Sequence, residues 1–470
     1  MSQGDQAPFL LFLCHPLSGH VTPILRIASG LRQRGWADIA FLSSAFFCAR
    51  IEAAGLEFIG FSPDADADDT TLFDKSAPPP PVLSIIDSHH QTIARLPAQW
   101  ECVKSALSML HARDPARRVI IITEAFFYGV ISLKRGALPP HGVPVPQTIC
   151  VSILAPAIRS LDLPPSFGSP HPFDPSSQGR ARNAALWKAW EEQAQPVTDL
   201  LNRKLLEAGA TQGLGANEVF MSGANYTCHD IILQVGLREF EYARVDFPAG
   251  FKFIGVLPPP PSSTTTAIGR SDVVAALFAE LTTNAELDEK DAGRCKVVVV
   301  AQGTVETDPS ELIIPTLELL SSENVVTVAI LGARGASLPS AWPVPPNATV
   351  VDYLSYDAVL PFADVWVHNG GYGAVMHGIS HGVPMIVAGE GQDKLDNGKR
   401  VAWCGLGIDL ACAKPEADKL ATALKEVLAE KKYKEIAKRI QAAANKMDTV
   451  GLVEEEILKL AKSCFNQLPL

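Results

Sequence analysis

A chain of 470 residues with 47% hydrophobic and 19% charged content is long enough for two domains, each burying its own core. A net charge of -11 without any basic run excludes a nucleic-acid partner. No stretch approaches the ~20 apolar residues of a spanning helix, so no transmembrane anchor is expected. The nine cysteines are scattered without a C-x-x-C pair, the pattern of reduced thiols in a cytoplasmic protein.

In chain order, the apolar run Phe9–Cys14 predicts a first strand rather than a signal peptide, because no basic leader precedes it. The turn His15–His20 leads to a helix over Pro23–Arg34, closed by Gly35. Ile39–Leu42 predicts a second strand, Phe46–Ala54 a short helix ended by Gly55, and Phe58–Phe61 a third strand. Val119–Thr123 and Thr148–Val151 are further short strands. Strands alternating with helices imply a parallel sheet with crossovers. Asp64–Pro81, acidic and then Pro-rich, predicts an exposed loop, as does the Pro/Ser/Gly-rich Leu161–Gly179 before a helix carrying Trp187 and Trp190.

Leu257–Gly269, with four prolines and a Ser/Thr run, predicts a stiff, solvated linker. The pattern then restarts. Lys296–Ala301 leads into Gln302-Gly303-Thr304, Val325–Leu331 ends in Gly332, and Val350-Val351 begins a third strand. The apolar run Val365–Val367 meets the turn Gly370-Gly371-Tyr372-Gly373, a helix closed by Gly382-Val383-Pro384, a second apolar run (Met385–Ala388) and a polar loop, Glu390–Asn397. Leu452–Leu460 has helical apolar spacing. The expected architecture is α/β, two Rossmann-like doubly wound domains facing across a cleft. Residues 1–256 form the first domain, 257–269 the linker and 270–450 the second, and 451–470 form a C-terminal helix packing back on the first.

Chemistry concentrates between Val365 and Val401. A glycine turn opening a helix leaves backbone N–H groups unpaired, and the helix dipole adds positive charge there, which suits a diphosphate. The polar loop after the next strand could hold a hydroxyl-rich group. Phosphate and polyol side by side suggest a nucleotide sugar, bound at the carboxyl ends of strands, in the cleft.

Gly19-His20-Val21-Thr22-Pro23 before Leu31–Gly35, Gly303-Thr304 after a strand, and Val350–Val401 together resemble the UDP-dependent glycosyltransferases of the GT-B type, family 1. The resemblance spans nearly the whole chain, favours the fungal and bacterial branches, and is weak over Asp64–Pro115 and Leu161–Ala249. It implies inverting transfer of a hexose, glucose by default, from a UDP-sugar to a hydroxyl of a small lipophilic or phenolic acceptor, with no metal or other cofactor. The first domain would bind the acceptor, with Phe46, Phe47, Phe126, Phe127 and Tyr128 near it.

The same resemblance assigns roles. His20, placed in the turn before the first helix, is the general base, with His15 a minor competitor. Glu124 takes the place of the family's orienting Asp. Asn369 falls where the family has a diphosphate-binding His, with His368 retained beside it. Gly371, Gly373 and Ala374 supply amides to the diphosphate, and Gly303 and Thr304 a second phosphate contact. Tyr353 aligns with the uracil-stacking aromatic, and Ser355 and Tyr356 replace the usual Pro and Gln. His377 replaces the ribose-binding Glu, and Asp393 and Lys394 align with the pair that grips the sugar.

Three alternatives accompany this reading. Asp64, Asp66, Asp68 and Asp69 contain Asp-x-Asp, which could bridge Mg²⁺ or Mn²⁺ to a diphosphate in a metal-dependent glycosyltransferase of the other major fold. That fold, however, has no second glycine-turn domain. A UDP-sugar epimerase shares the two-domain fold. A non-catalytic partner protein would explain the departures at Glu124, Asn369 and His377, but not the retention of His20, Gly373 and Asp393.

Overall fold

The computed structural model describes residues 7–68, 83–167, 169, 171–215, 218–258, 272–287, 291, 293–303, 308–340 and 342–463, with backbone alone at 83–88 and 463. Thr304, Asp69 and most of the linker stretch lie outside the described residues.

Two parallel sheets organise the chain. The first holds β1 (Phe9–Leu13), β2 (Ile39–Ser43), β3 (Glu57–Gly60), β4 (Val119–Glu124), β5 (Gln147–Ser152), β6 (Ile231–Gln234) and β7 (Phe251–Phe253), in the order β3-β2-β1-β4-β5-β6-β7. The second holds β8 (Lys296–Ala301), β9 (Val325–Ile330), β10 (Ala348–Val351), β11 (Val365–His368), β12 (Met385–Val387) and β13 (Gly407–Asp409), in the order β10-β9-β8-β11-β12-β13. Both contain the 3-2-1-4-5-6 winding that opens a crevice at the carboxyl edge, where the order reverses. The central strands are Val/Ile runs because helices cover both faces: every residue of β4 and β9 is buried.

The first helix, α1, spans Ser18–Gln33, a turn earlier than the sequence predicts. Proline commonly opens a helix, so Pro23 suggests a start there. Instead it lies inside α1, where it lacks an N–H for the carbonyl of Gly19. His20 therefore sits in the first helical turn, not in the turn before it. The acidic stretch is anchored rather than freely solvated, since Ala65 and Ala67 between its carboxylates are buried.

In the second domain, α2 (Tyr372–His381) follows the glycine turn and α3 (Lys394–Trp403) follows β12. Helix α3 begins inside the stretch expected as loop. The last helix, α4 (Thr449–Ser463), crosses back to the first domain. A Cβ on Gly30 of α1 would lie 2.7 Å from Val450, so even alanine there would push the two helices' side chains apart. Trp36 Nε1 donates to Glu454 at 2.8 Å, Arg34 pairs with Glu454 and Asp448, and Thr449 donates to Val256 O.

Two further contacts bind the sheets together. Arg400 of α3 donates to both carboxylate oxygens of Glu241, at 3.0 and 3.1 Å, with both side chains buried and Tyr242 stacked under the guanidinium. Tyr372 donates its hydroxyl to Val235 O (2.7 Å) and accepts from Gln234 Nε2 (3.2 Å), just past the end of β6. Gly236, at φ +134°, makes room: a Cβ there would meet the Tyr372 hydroxyl at 2.5 Å.

Candidate active site

The carboxyl edge of the first sheet gathers titratable groups. Glu124 ends β4, level with Val151 and Leu233 on the neighbouring strands, and is fully buried. Its Oε1 accepts the Phe126 amide at 3.0 Å and its Oε2 the His15 amide at 3.5 Å, so the carboxylate is fixed by backbone. His20 Nδ1 lies 3.1 Å from Oε2, within ion-pair contact but without hydrogen-bond geometry. The other face of His20 meets Phe126 at 5.8 Å and His15, edge to face, at 5.2 Å. Burial holds His15 well below the usual histidine range, so it stays neutral. His20 is partly exposed, at 18%, so solvent or a ligand can reach it.

Sequence patterning missed His89. Its Nδ1 lies 3.3 Å from the Tyr128 hydroxyl, and its ring packs against Phe126 and Phe220. Burial, with a smaller push from His20, pulls it down to about 3. Nothing in the sequence around His89 signals this, because its partners come from the segment after β4 and from residue 220. Among the aromatic residues expected at the cleft, Phe47, Phe126, Phe127 and Tyr128 are buried and Phe46 is exposed. Phe127 stacks on Phe61 and belongs to the core, whereas Phe126 bridges His20 and His89.

The second sheet's carboxyl edge is built from glycines and amides. His368 ends β11, fully enclosed, with Nδ1 accepting the Gly370 amide at 3.0 Å and the ring stacked on Trp366. Burial lowers it to about 3, so it is a neutral brace for the glycine turn, not a cation for phosphate. Asn369 donates from Nδ2 to Gln302 O, tying the turn to the end of β8. Gly303 (φ +88°) follows, and Gly332 after β9 closes on it: a Cβ on Gly332 would meet Gly303 O at 2.0 Å. Gly370 (φ +83°) is equally confined, its Cβ position being 2.7 Å from Val387.

Gly371 and Gly373 are the reverse: a Cβ on either would meet nothing within 4 Å. No side chain caps α2. The amides of its first turn, including Gly373 and Ala374, thus point toward open space with the positive end of the helix dipole.

Asp393 is the N-cap residue of α3, not a loop residue, and is buried. Asn397 Nδ2 donates to Asp393 Oδ2 at 2.9 Å and to Gly370 O at 2.8 Å, linking the polyol candidate to the glycine turn. Sequence patterning missed this bridging Asn397, which lies one helical turn past Asp393. Burial raises Asp393 above the usual carboxylate range. Lys394 is buried too, its stem against Gly389.

Tyr353 is half exposed, with the Arg334 guanidinium 4.6 Å from its ring centre, so one aromatic face carries a cation that the sequence did not reveal. Ser355 begins the short helix Tyr356–Val359. His377 does not stand alone in place of a carboxylate: Asp357 Oδ1 lies 2.8 Å from its Nδ1. Tyr356 meets the His377 ring edge to face at 5.6 Å.

The two edges face each other. Tyr372, the first residue of α2, is bonded to the end of β6, the same edge of the first sheet that carries Glu124 and His20. Among the described residues, no helix is long and apolar enough to cross a membrane.

Comparison with known proteins agrees with this architecture. Residues 318–455 match the family described as erythromycin biosynthesis protein CIII-like, C-terminal domain. The chain is 31% identical over 477 residues to UDP-glucosyltransferase A1 of Starmerella bombicola, covering 100% of this chain and 96% of that protein. It is 33% identical over 460 residues to UDP-glucosyltransferase 1 of Beauveria bassiana (strain ARSEF 2860), covering 96% and 95%. Among solved structures, the glycotransferase of kitacinnamycin superposes with a TM-score of 0.65 at 19% identity, covering 99% of this chain and 100% of that one. CalG4, the calicheamicin glycosyltransferase, gives 0.63 at 16% identity, covering 97% and 98%.

Proposed function

Because the chain belongs to the family 1 UDP-glycosyltransferases, we propose that it transfers a hexose, glucose by preference, from a UDP-sugar to a hydroxyl of a small apolar or aromatic acceptor, with inversion. The observation that carries this reading is the open, uncapped start of α2, held by Tyr372 against the sheet edge that bears the His20–Glu124 pair.

In this mechanism His20 takes the acceptor proton through Nε2 while Glu124 faces Nδ1 and stabilises the imidazolium. The oxygen attacks the anomeric carbon from the side opposite UDP. Negative charge grows on the departing diphosphate, where the Gly373 and Ala374 amides and the helix dipole meet it. These fixed dipoles suffice for the leaving group, so the transfer step needs no metal. Asp393, with Oδ2 engaged by Asn397, keeps Oδ1 for adjacent sugar hydroxyls. Uracil stacks on the face of Tyr353 opposite Arg334. His377 meets the ribose through Nε2, its Nδ1 being occupied by Asp357. The acceptor lies against Phe126 and His89 in the first domain. The scattered cysteines, eight of them unpaired among the described residues, suit a cytoplasmic setting.

The test is donor turnover. Purified protein is incubated with UDP-glucose, EDTA and a panel of flavonoid, anthraquinone, terpenoid and sterol alcohols, and UDP release and product mass are followed. A product heavier by one hexose, with inverted anomeric configuration and lost in His20→Ala, is expected. UDP-glucose epimerised without an acceptor, or no UDP binding at all, would overturn the reading.

A further inference from the structure

Helix α2 carries His377 and His381 four residues apart, the spacing that puts two side chains on one helical face. Asp357, on the short helix Tyr356–Val359, reaches that face. Its Oδ1 lies 2.8 Å from His377 Nδ1 and 3.0 Å from His381 Nε2. The three donor atoms all fall within 4.8 Å of one another. The side chains are mostly enclosed but not sealed, at 22% for His377, 17% for His381 and 7% for Asp357, so water can reach the cluster.

From this constellation we infer that Asp357, His377 and His381 form a binding site for a divalent transition metal of the zinc class. Two imidazole nitrogens and one carboxylate oxygen, completed by water, are a donor set that zinc accepts. Magnesium and calcium prefer oxygen-rich shells and are not expected here. Bond lengths of ~2.0–2.2 Å place neighbouring tetrahedral ligands ~3.3 Å apart. The two nitrogen–oxygen separations, 2.8 and 3.0 Å, need to open by only a few tenths of an ångström, and the two histidine nitrogens already lie within 4.8 Å of each other. Each imidazole then turns a lone pair to the ion and carries its proton on the other ring nitrogen.

The surroundings support one-oxygen ligation. Arg26 of α1 approaches the other carboxylate oxygen, Oδ2, at 3.9 Å, and is itself held by the carbonyls of Leu257 and Pro258. That leaves Oδ1 as the oxygen turned to the histidines, with Arg26 an outer partner that fixes the carboxylate. Among the described residues no other group of three His, Cys, Asp or Glu side chains comes together this closely. The bound ion would clasp α2 to the segment after β10, beside the proposed donor site, and would take no part in transfer. The inference does not depend on the transferase reading.

The experiment is calorimetric titration of chelator-treated full-length protein with Zn²⁺, with Co²⁺ absorption spectra as a second readout. We expect one ion per chain with a Kd of ~1 µM or tighter, a visible Co²⁺ band of tetrahedral or five-coordinate type, and a higher Tm with metal. His381→Ala and His381→Gln should each weaken binding by ~100-fold or more and abolish the Co²⁺ band. His90→Ala, at an exposed histidine, should leave both unchanged. Circular dichroism confirms that the variants fold, and two substitutions at one position keep the result readable if one does not. No saturable binding, or binding unaffected at His381, overturns the site. Transfer that fails while Zn²⁺ binding persists would count against the proposed function alone.

Discussion

The two carboxyl edges that meet in the cleft solve opposite problems. The first sheet presents ionisable side chains: the His20–Glu124 pair, with the buried ring of His15 and the partly buried ring of His89 beside it. The second presents backbone: glycines, an uncapped helix start, and buried side chains such as His368, Asn369 and Asn397 that brace the turn. A proton must be moved at one and an anion held at the other. Proton transfer needs a group whose charge changes, whereas an anion is held best by dipoles already fixed in place. The same winding of strands carries both because its edge leaves the choice of residue to the loops.

If the first edge is the proton site, His20→Ala should lower kcat by ~10³-fold and leave the calorimetric Kd for UDP within about twofold, since the second edge is untouched. Comparable losses in both would erase the division. The joint between the edges should be the next most sensitive place. Glu241→Gln strands the Arg400 charge in the interface and is expected to cost ~3 kcal/mol in urea unfolding, with Glu241→Leu/Arg400→Met together recovering most of it.

The second edge can be dissected by paired glycine substitutions. Gly370→Ala puts a Cβ 2.7 Å from Val387 at φ +83° and should destabilise the fold by ~1–3 kcal/mol. Gly371→Ala meets nothing and should leave Tm unchanged while weakening UDP about tenfold, ~1.4 kcal/mol. Equal effects on Tm would mean that the open space is not ligand space.

A last comparison concerns pH. Burial lowers His89, His229 and His368 to about 3, so the folded chain binds fewer protons than the unfolded one between that value and ~6.5. Stability is therefore full above pH ~6.5 and falls as pH drops toward 3, by at most ~1.4 kcal/mol per pH unit for each group. His229→Gln, at a buried position in the first domain, should flatten the fall of Tm between pH 7 and 5. A steeper fall would refute the assignment.

Much of this was legible in the chain. The central strands announce themselves because strands buried on both faces read as unbroken Val and Ile runs, and Lys296–Ala301 is recovered to the residue. The short outer strands Phe251–Phe253 and Gly407–Asp409 give no such run and were not anticipated. The glycine turn was visible because local spacing encodes it, and His20 because the run Gly19-His20-Val21-Thr22-Pro23 resembles the start of the family's first helix. The Tyr372–Gln234 bond spans 138 positions and Asp357 stands 20 before His377, so both exist only once the chain has folded. Phe47 and Phe127 looked like cleft residues because aromatic identity does not tell a strand end in the core from one beside it.

The grip of Tyr372 on Val235 also bears on how such chains could be recombined. The first residue of the donor helix is seated in a notch that exists only because Gly236, in the other half, has no side chain. A chimera that joined this C-terminal half to a different N-terminal half bearing any larger residue at that point would tilt the helix whose dipole aims at the ligand. The portable unit is thus the second half together with Gln234–Gly236, and a crossover placed in the linker alone would divide it.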